Sequence, residues 1–225
     1  MTANGRPVRR VGFGCMRLST EPGRDDARAL ATLRAVLDAF AALDPSGTPS
    51  SAPTLSLDTA HAYGHDDGDL GHNERLVARA LADVPALRPR IEVVTKCGMS
   101  RPGGRWEPAG RATDLRASVE GSLVALGVDA LDVLLLHAPD PRVPFATSVR
   151  ALARLHEEGL ARRVGLSNVN VTQIREAADH LDVGAVEVAL SPHDDAPLRN
   201  GVAAWCTEHG VPLFAHSPLG GPKRS

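Results

Sequence analysis

Lysine is almost missing from this chain. Of 225 residues only Lys96 and Lys223 are lysines, although 25 positions carry a basic side chain. Arginine fills every other cationic role, so a lysine that survives in such a background is informative. Tyrosine is scarcer still, with Tyr63 alone, and aromatics make up 3% of the chain. No basic excess is present, the formal net charge being -2, which argues against a nucleic-acid partner. No apolar run approaches the ~18 residues of a membrane span, so a bilayer partner is not expected either. The opening MTANGRPVRR lacks the apolar core and small-residue cleavage site of a signal peptide, and the expected location is the cytoplasm. Cys15, Cys97 and Cys206 are odd in number, far apart and without a CxxC pair, which fits neither a disulfide framework nor a zinc site.

What is present is a regular alternation. Seven short apolar runs read as strands: 11–18, 54–58, 91–96, 131–137, 161–167, 185–190 and 211–217. Between them lie stretches with apolar residues at three and four spacing, including DDARALATLRAVLDAFAAL, NERLVARALADV and FATSVRALARLHEEG, the period of amphipathic helices. Strands that are apolar throughout are buried on both faces, as in a parallel sheet covered by helices. GFGCMR has no third glycine where a dinucleotide fingerprint needs one, so the open dinucleotide-binding sheet is disfavoured. The expected fold is therefore α/β, of the (β/α)8 TIM-barrel type. A closed barrel of this kind takes about 250 residues, and this one is expected to be a single domain over 1–225 lacking the eighth strand and the C-terminal helices. Self-association, or a further segment that completes the barrel, would then cover the open edge. DPSGTPSSAP (44–53) reads as a surface loop, and GMSRPGGRWEPAGR (98–111) as a long loop on the rim that shapes a pocket.

Polar residues gather at the ends of these strands. Asp58 closes TLSLD, Tyr63 follows it, Lys96 closes IEVVTK and His137 closes LDVLLLH. In a barrel these ends converge on one mouth. A lysine beside a phenol favours the phenolate and is expected to draw the tyrosine pKa down from about 10. Asp58 would orient Lys96, and His137 would hydrogen-bond a reacting oxygen, an arrangement suited to giving a proton to a carbonyl. Plainer readings exist for each residue taken alone: a rim tyrosine, a Lys96–Asp58 ion pair, a core histidine. His61, His65 and His72 among Asp66, Asp67 and Asp69 fit no standard metal spacing and read as a solvated acidic loop, so no metal is expected. Trp106, in the long loop, reads equally as a substrate-facing ring or a loop anchor.

LDTAHAYGHDD, VVTKCG, LDVLLLHAPD and RRVGLSNVN, in that order, resemble the motifs of the aldo-keto reductases, and the resemblance runs from VGFGCMRL to HSPLGG. That resemblance implies a barrel that moves hydride between a nicotinamide cofactor, NADP(H) ahead of NAD(H), and a small-molecule aldehyde or ketone. It implies Tyr63 as general acid, with Asp58, Lys96 and His137 completing a tetrad. It implies cofactor contacts from Gly14, Met16, Ser167, Asn168, Ser217 and Leu219. Two positions depart from the pattern: Glu187 stands where the family has a glutamine under the carboxamide, and His216 where a tyrosine stacks on the nicotinamide. The strand and helix that hold the adenosine 2′-phosphate in the family are expected to be missing from 1–225. An alternative reading is a cofactor-sensing or scaffold domain without turnover, or the N-terminal part of a larger multidomain protein.

Overall fold

The computed structural model describes residues 10–43 and 54–221. The first strand, β1, spans Arg10–Gly14, and a one-turn helix α1 (Arg17–Thr20) follows at once. The apolar run 11–18 therefore does not stay extended, contrary to expectation. Cys15 donates its amide to the Asp58 carbonyl at 2.8 Å, and Leu18 then turns back to Cys15 at 2.9 Å. Helix α2 (Asp26–Ala42) starts where the Asp25 carboxylate accepts the Arg28 amide and presents Leu30, Leu33, Leu37 and Phe40 to the core. The expected loop at 44–53 lies outside the described residues, as do the N-terminal nine residues and Lys223.

Strand β2 (Thr54–Asp58), helix α3 (His72–Ala82) and strand β3 (Ile91–Cys97) continue the alternation. The rim segment expected as a loop carries a small antiparallel hairpin, β4 (Met99–Ser100) with β5 (Glu107–Pro108). Helix α4 (Ala112–Leu126), strand β6 (Leu131–Leu136), helix α5 (Phe145–Glu157) and strand β7 (Ala161–Ser167) come next. Helix α6 (Val171–Ala178) opens with a reciprocal cap between Asn170 and Gln173, and strand β8 (Val186–Ala189) follows. The stretch 197–210, which has the period of a single helix, divides into α7 (Ala196–Arg199) and α8 (Val202–Glu208). Gly201 sits between them at φ 91°, a conformation open to glycine, and turns the chain. Strand β9 (Leu213–His216) ends the series.

Seven strands form one parallel sheet in the order β1-β2-β3-β6-β7-β8-β9, with helices between successive strands and, between β3 and β6, the β4–β5 hairpin as well. This is the TIM-barrel type, with β1 and β9 as the outer strands among the described residues. One apolar layer lies between the sheet and α4, α5, α6 and α8, and a second packs α2 and α3 on β2 and β3. A small inner group, Val94, Val133, Leu135 and Ala185 with Phe214, fills the concave side. All parallel strands end on the same rim, and that rim carries the site.

Candidate active site

The loop after β2 is stitched to β3 before it reaches Tyr63. Thr59 donates its amide to the Val94 carbonyl at 2.8 Å and His61 to the Lys96 carbonyl at 3.2 Å, while the Thr59 hydroxyl donates to Asn73 Oδ1 at 2.7 Å. Asn73 is fully buried at the start of α3 and donates in turn to the Cys15 carbonyl at 2.9 Å and to Ser19 Oγ at 2.7 Å. The loop that carries Tyr63 is thus held on β3 and α3, and Tyr63 is buried, with 5% of its surface exposed.

Lys96 lies at the centre, 1% exposed. Its Nζ donates to Asp58 Oδ1, to the Thr59 carbonyl at 3.1 Å and to the Tyr63 hydroxyl at 3.2 Å. Those three bonds use the three protons of an ammonium. A fourth oxygen, Glu187 Oε2, lies 3.4 Å from the same nitrogen, within ion-pair range, and has no hydrogen-bond partner. Glu187 comes from the middle of β8 and is 2% exposed.

Burial alone would strip Lys96 of its charge. The charges of Asp58 and Glu187, the nearby phenol and the Asp58 hydrogen bond outweigh that penalty and hold its pKa well above the ordinary lysine value. Tyr63 moves the other way from expectation. Burial raises its pKa, and the Asp58 and Glu187 charges add to the rise, together exceeding the pull of Lys96. Burial is the largest of these effects and outweighs the field of Lys96 that was expected to favour phenolate, so the phenol keeps its proton. His137 follows β6, and burial first, then the charges of Lys96, His216 and Arg101, push its pKa down to about 3. Its ring is neutral at ordinary pH, and Nδ1 has no partner.

A wall closes the mouth on one side. Trp106 meets Tyr63 edge-on at 6.1 Å between ring centroids and His137 at 5.9 Å, and Tyr63 meets His137 at 5.7 Å. The Arg101 guanidinium stacks on Trp106, 3.7 Å from the ring centre, a favourable cation–π geometry. Trp106 is 43% exposed and lies beside the phenol. The sequence left its role open, and only the fold of the β4–β5 hairpin reveals its neighbours.

The remaining predicted residues form an arc on the same rim. Asn168, at φ 56° just past β7, donates from Nδ2 to the His137 carbonyl at 2.9 Å and to Ser167 Oγ at 3.1 Å. Its Oδ1 lies 3.0 Å from His216 Nε2, and His216 Nδ1 lies 3.3 Å from Ser217 Oγ. Gly14 ends β1 exposed, and a Cβ added there would meet nothing within 4 Å. Met16 is half-buried at the start of α1, and Leu219 is almost fully exposed beyond β9. Space is open over Gly14, the His216 ring is half-buried and His137 Nδ1 has no hydrogen-bond partner.

The three histidines of the acidic loop diverge. His61 Nδ1 faces Glu74 at 3.3 Å, His65 Nε2 faces the Glu21 carbonyl at 3.1 Å, and His72 is held between Ser19 at 2.8 Å and Asp26 at 3.1 Å. Asp69 pairs with Arg24, Asp66 caps Gly68 at 2.9 Å, and Asp67 accepts the Arg101 amide at 2.5 Å. The acids of this loop are spent on building the rim.

The sequence model of the aldo/keto reductase family matches residues 10–225. The chain belongs to this family. It is 30% identical over 223 residues to 6-dehydroglucose reductase of Agrobacterium fabrum, a match covering 94% of this chain and 68% of that protein. The structure is similar to that of a glycerol dehydrogenase from Gluconobacter oxydans, with TM-score 0.73 and 26% identity over 92% of this chain and 58% of that one. It is similar also to a thermostable aldo-keto reductase solved with the inhibitor epalrestat, with TM-score 0.71 and 26% identity over 92% and 68% of the two chains. The chain therefore spans about three-fifths to two-thirds of the length of these reductases and dehydrogenases. No helix among the described residues is long and apolar enough to cross a membrane.

Proposed function

We propose that the chain acts as a single reductase domain that converts a small aldehyde or ketone to an alcohol, with NADP(H) as its cofactor ahead of NAD(H). The observation that carries this reading is the Lys96 ammonium held against both Asp58 and the Tyr63 hydroxyl at the mouth of the sheet. Family membership supports carbonyl chemistry and a nicotinamide cofactor.

In this reading Tyr63 is the general acid. Its proton passes to the carbonyl oxygen, and the phenolate left behind is stabilised by Lys96 at 3.2 Å. Asp58 keeps Lys96 charged and directed at the phenol. Neutral His137 shares the mouth with Tyr63 and orients the carbonyl oxygen through a ring nitrogen. Gly14, Met16, Ser167, Asn168, Glu187, His216, Ser217 and Leu219 would border the cofactor. The bound nicotinamide supplies the hydride to the carbonyl carbon, and the protein supplies position and the proton.

A second reading, a cofactor-binding module without turnover, draws support from β1 and β9 each pairing on one edge alone among the described residues. Titration with NADPH and with NADH, followed by Trp106 fluorescence, separates the two when joined to a carbonyl screen. Trp205 is stacked on His209 at 4.1 Å and buried, so it gives a steady background. Saturable binding with carbonyl-dependent cofactor oxidation supports the reductase. Binding without oxidation of NADPH by any carbonyl supports the module, and no binding to either nucleotide removes both readings.

A further inference from the structure

The neighbourhood of Lys96 holds one oxygen too many. Asp58, the Thr59 carbonyl and Tyr63 take the three ammonium protons, and Glu187 Oε2 is left at 3.4 Å, buried and without a hydrogen bond. A buried carboxylate oxygen with no donor is costly. The cost disappears if Glu187 brings a proton of its own, because a carboxylic acid is a donor as well as an acceptor.

We propose that Glu187 is a positioning residue that carries a proton in the resting site, shares it with Asp58, and thereby sets the charge against which Tyr63 releases its own proton. This rests on the reductase reading above. With Glu187 neutral, Asp58 and Lys96 cancel, and proton transfer from Tyr63 leaves the cluster with one net negative charge. With Glu187 ionised, the same transfer leaves two negative charges in a buried space, which opposes it.

The surroundings agree. Burial first, with the Asp58 charge added, raises the Glu187 pKa to about 7 against the opposing pull of Lys96. The groups that face it are Asp58 from β2, Lys96 from β3 and Tyr63 from the loop after β2. Its register neighbours on β7 and β9 are Ser167 and Phe214, which carry no charge. His216 at the end of β9 feels burial first and then Lys96, both of which lower its pKa. Cys15 past β1 is held as a thiol by burial and by Asp58.

Two measurements on the whole chain test this, with Glu187→Gln as the variant. The first is the pH profile of kcat for carbonyl reduction between about pH 5 and pH 9. Wild type is expected to lose about tenfold as pH rises through the range near 7, and Glu187→Gln is expected to lose that fall. An identical fall in both overturns the proposal. So does a changed cofactor Kd in the variant with the wild-type pH profile retained, which would make Glu187 a cofactor contact only. The second measurement needs neither cofactor nor turnover: infrared difference spectra across the same range. A protonated-carboxyl band that disappears as pH rises, and shifts on isotopic labelling of glutamate carboxyls in the unaltered chain, supports the proposal even if the variant does not fold. No such band overturns it. The band without turnover of any carbonyl leaves the shared proton standing and removes the reductase reading instead.

Discussion

The Lys96 Nζ atom lies 3.2 Å from the Tyr63 hydroxyl and 5.1 Å from the centre of the same ring. The lysine therefore touches the phenol where the proton leaves and where the ring packs. Removing the hydroxyl alone separates those two contacts. Tyr63→Phe keeps the ring against Trp106 and His137 and is expected to lower kcat by about 10²–10⁴-fold. Cofactor affinity should stay within about threefold, because the phenyl ring still fills its space. Steady-state turnover and a fluorescence titration check both, and undiminished turnover would remove Tyr63 from the chemistry.

Lys96 is buried against the carboxyl groups of Asp58 and Glu187, so its loss is a matter of stability as much as of catalysis. Lys96→Met keeps most of the side-chain length and deletes the charge, leaving Asp58 and Glu187 facing one another. The expected loss is about 3–5 kcal/mol at alkaline pH, the range for a broken buried pair. At acid pH Glu187 takes a proton and the loss should shrink. Denaturant melts of both chains at two pH values read the difference, and an equal loss at both would mean that only packing was lost.

Much of this arrangement is legible in the sequence because it depends on chain order alone. Strand ends in a parallel barrel share a rim, so Asp58, Lys96 and His137 could be brought together from their positions in three apolar runs. The longer helices were legible from their period, apart from the break at Gly201, which one glycine does not announce, while the one-turn helix α1 lay partly inside a run read as a strand. Strand β1 ended early because an apolar run does not reveal where the backbone turns to bond Asp58. Glu187 could be singled out, but its closeness to Lys96 depends on how far β8 is staggered against β3 across the sheet. The rise of the Tyr63 pKa depends on that same stagger. Trp106 depends on a hairpin only two residues deep on each side, too short to show any period.

Trp106 is the group in the wall best placed to meet a substrate without holding up the fold. With 43% of its surface exposed, its replacement should cost little stability. Trp106→Ala is expected to raise KM for the carbonyl substrate by up to about tenfold, the worth of one or two aromatic contacts. The unfolding midpoint should move little, and Arg101 loses the ring it stacks on. A KM that does not move, with a marked loss of stability, would make Trp106 a loop anchor.

Gly165 in β7 marks a close approach that no side chain could share. A Cβ there would collide with the Ala185 carbonyl oxygen and lie 2.9 Å from Leu135 Cδ2. That carbonyl accepts the Leu166 amide at 3.0 Å, so it cannot retreat without breaking the ladder that carries β8. Gly165→Ala is expected to cost about 2–3 kcal/mol, with the strain passed to Glu187 two residues along from Ala185. Thermal melts test the cost, and a wild-type midpoint would show that β7 and β8 are not this close in solution.

His137 and Glu187 pull the pH dependence of stability in opposite directions. The His137 pKa falls from 6.5 to about 3 in the fold, so the unfolded chain binds the extra proton, and stability is lost as pH falls from about 6.5 towards 3. The Glu187 pKa rises from 4.5 to about 7, so the folded chain binds the extra proton, and stability is lost as pH rises from about 4.5 through 7. Each effect is bounded at a few kcal/mol. The two windows overlap between about pH 4.5 and 6.5, where the opposing slopes offset one another. Urea unfolding of the wild type, His137→Gln and Glu187→Gln across pH separates them. His137→Gln should lose the decline on the acid side, and Glu187→Gln should lose the decline on the neutral side while keeping the acid one. Parallel curves for Glu187→Gln and wild type above about pH 7 are expected, because both groups have finished titrating there. A Glu187→Gln curve parallel to wild type between about pH 5 and 7 would mean that Glu187 is ionised at its ordinary pH and that Lys96 faces two full negative charges.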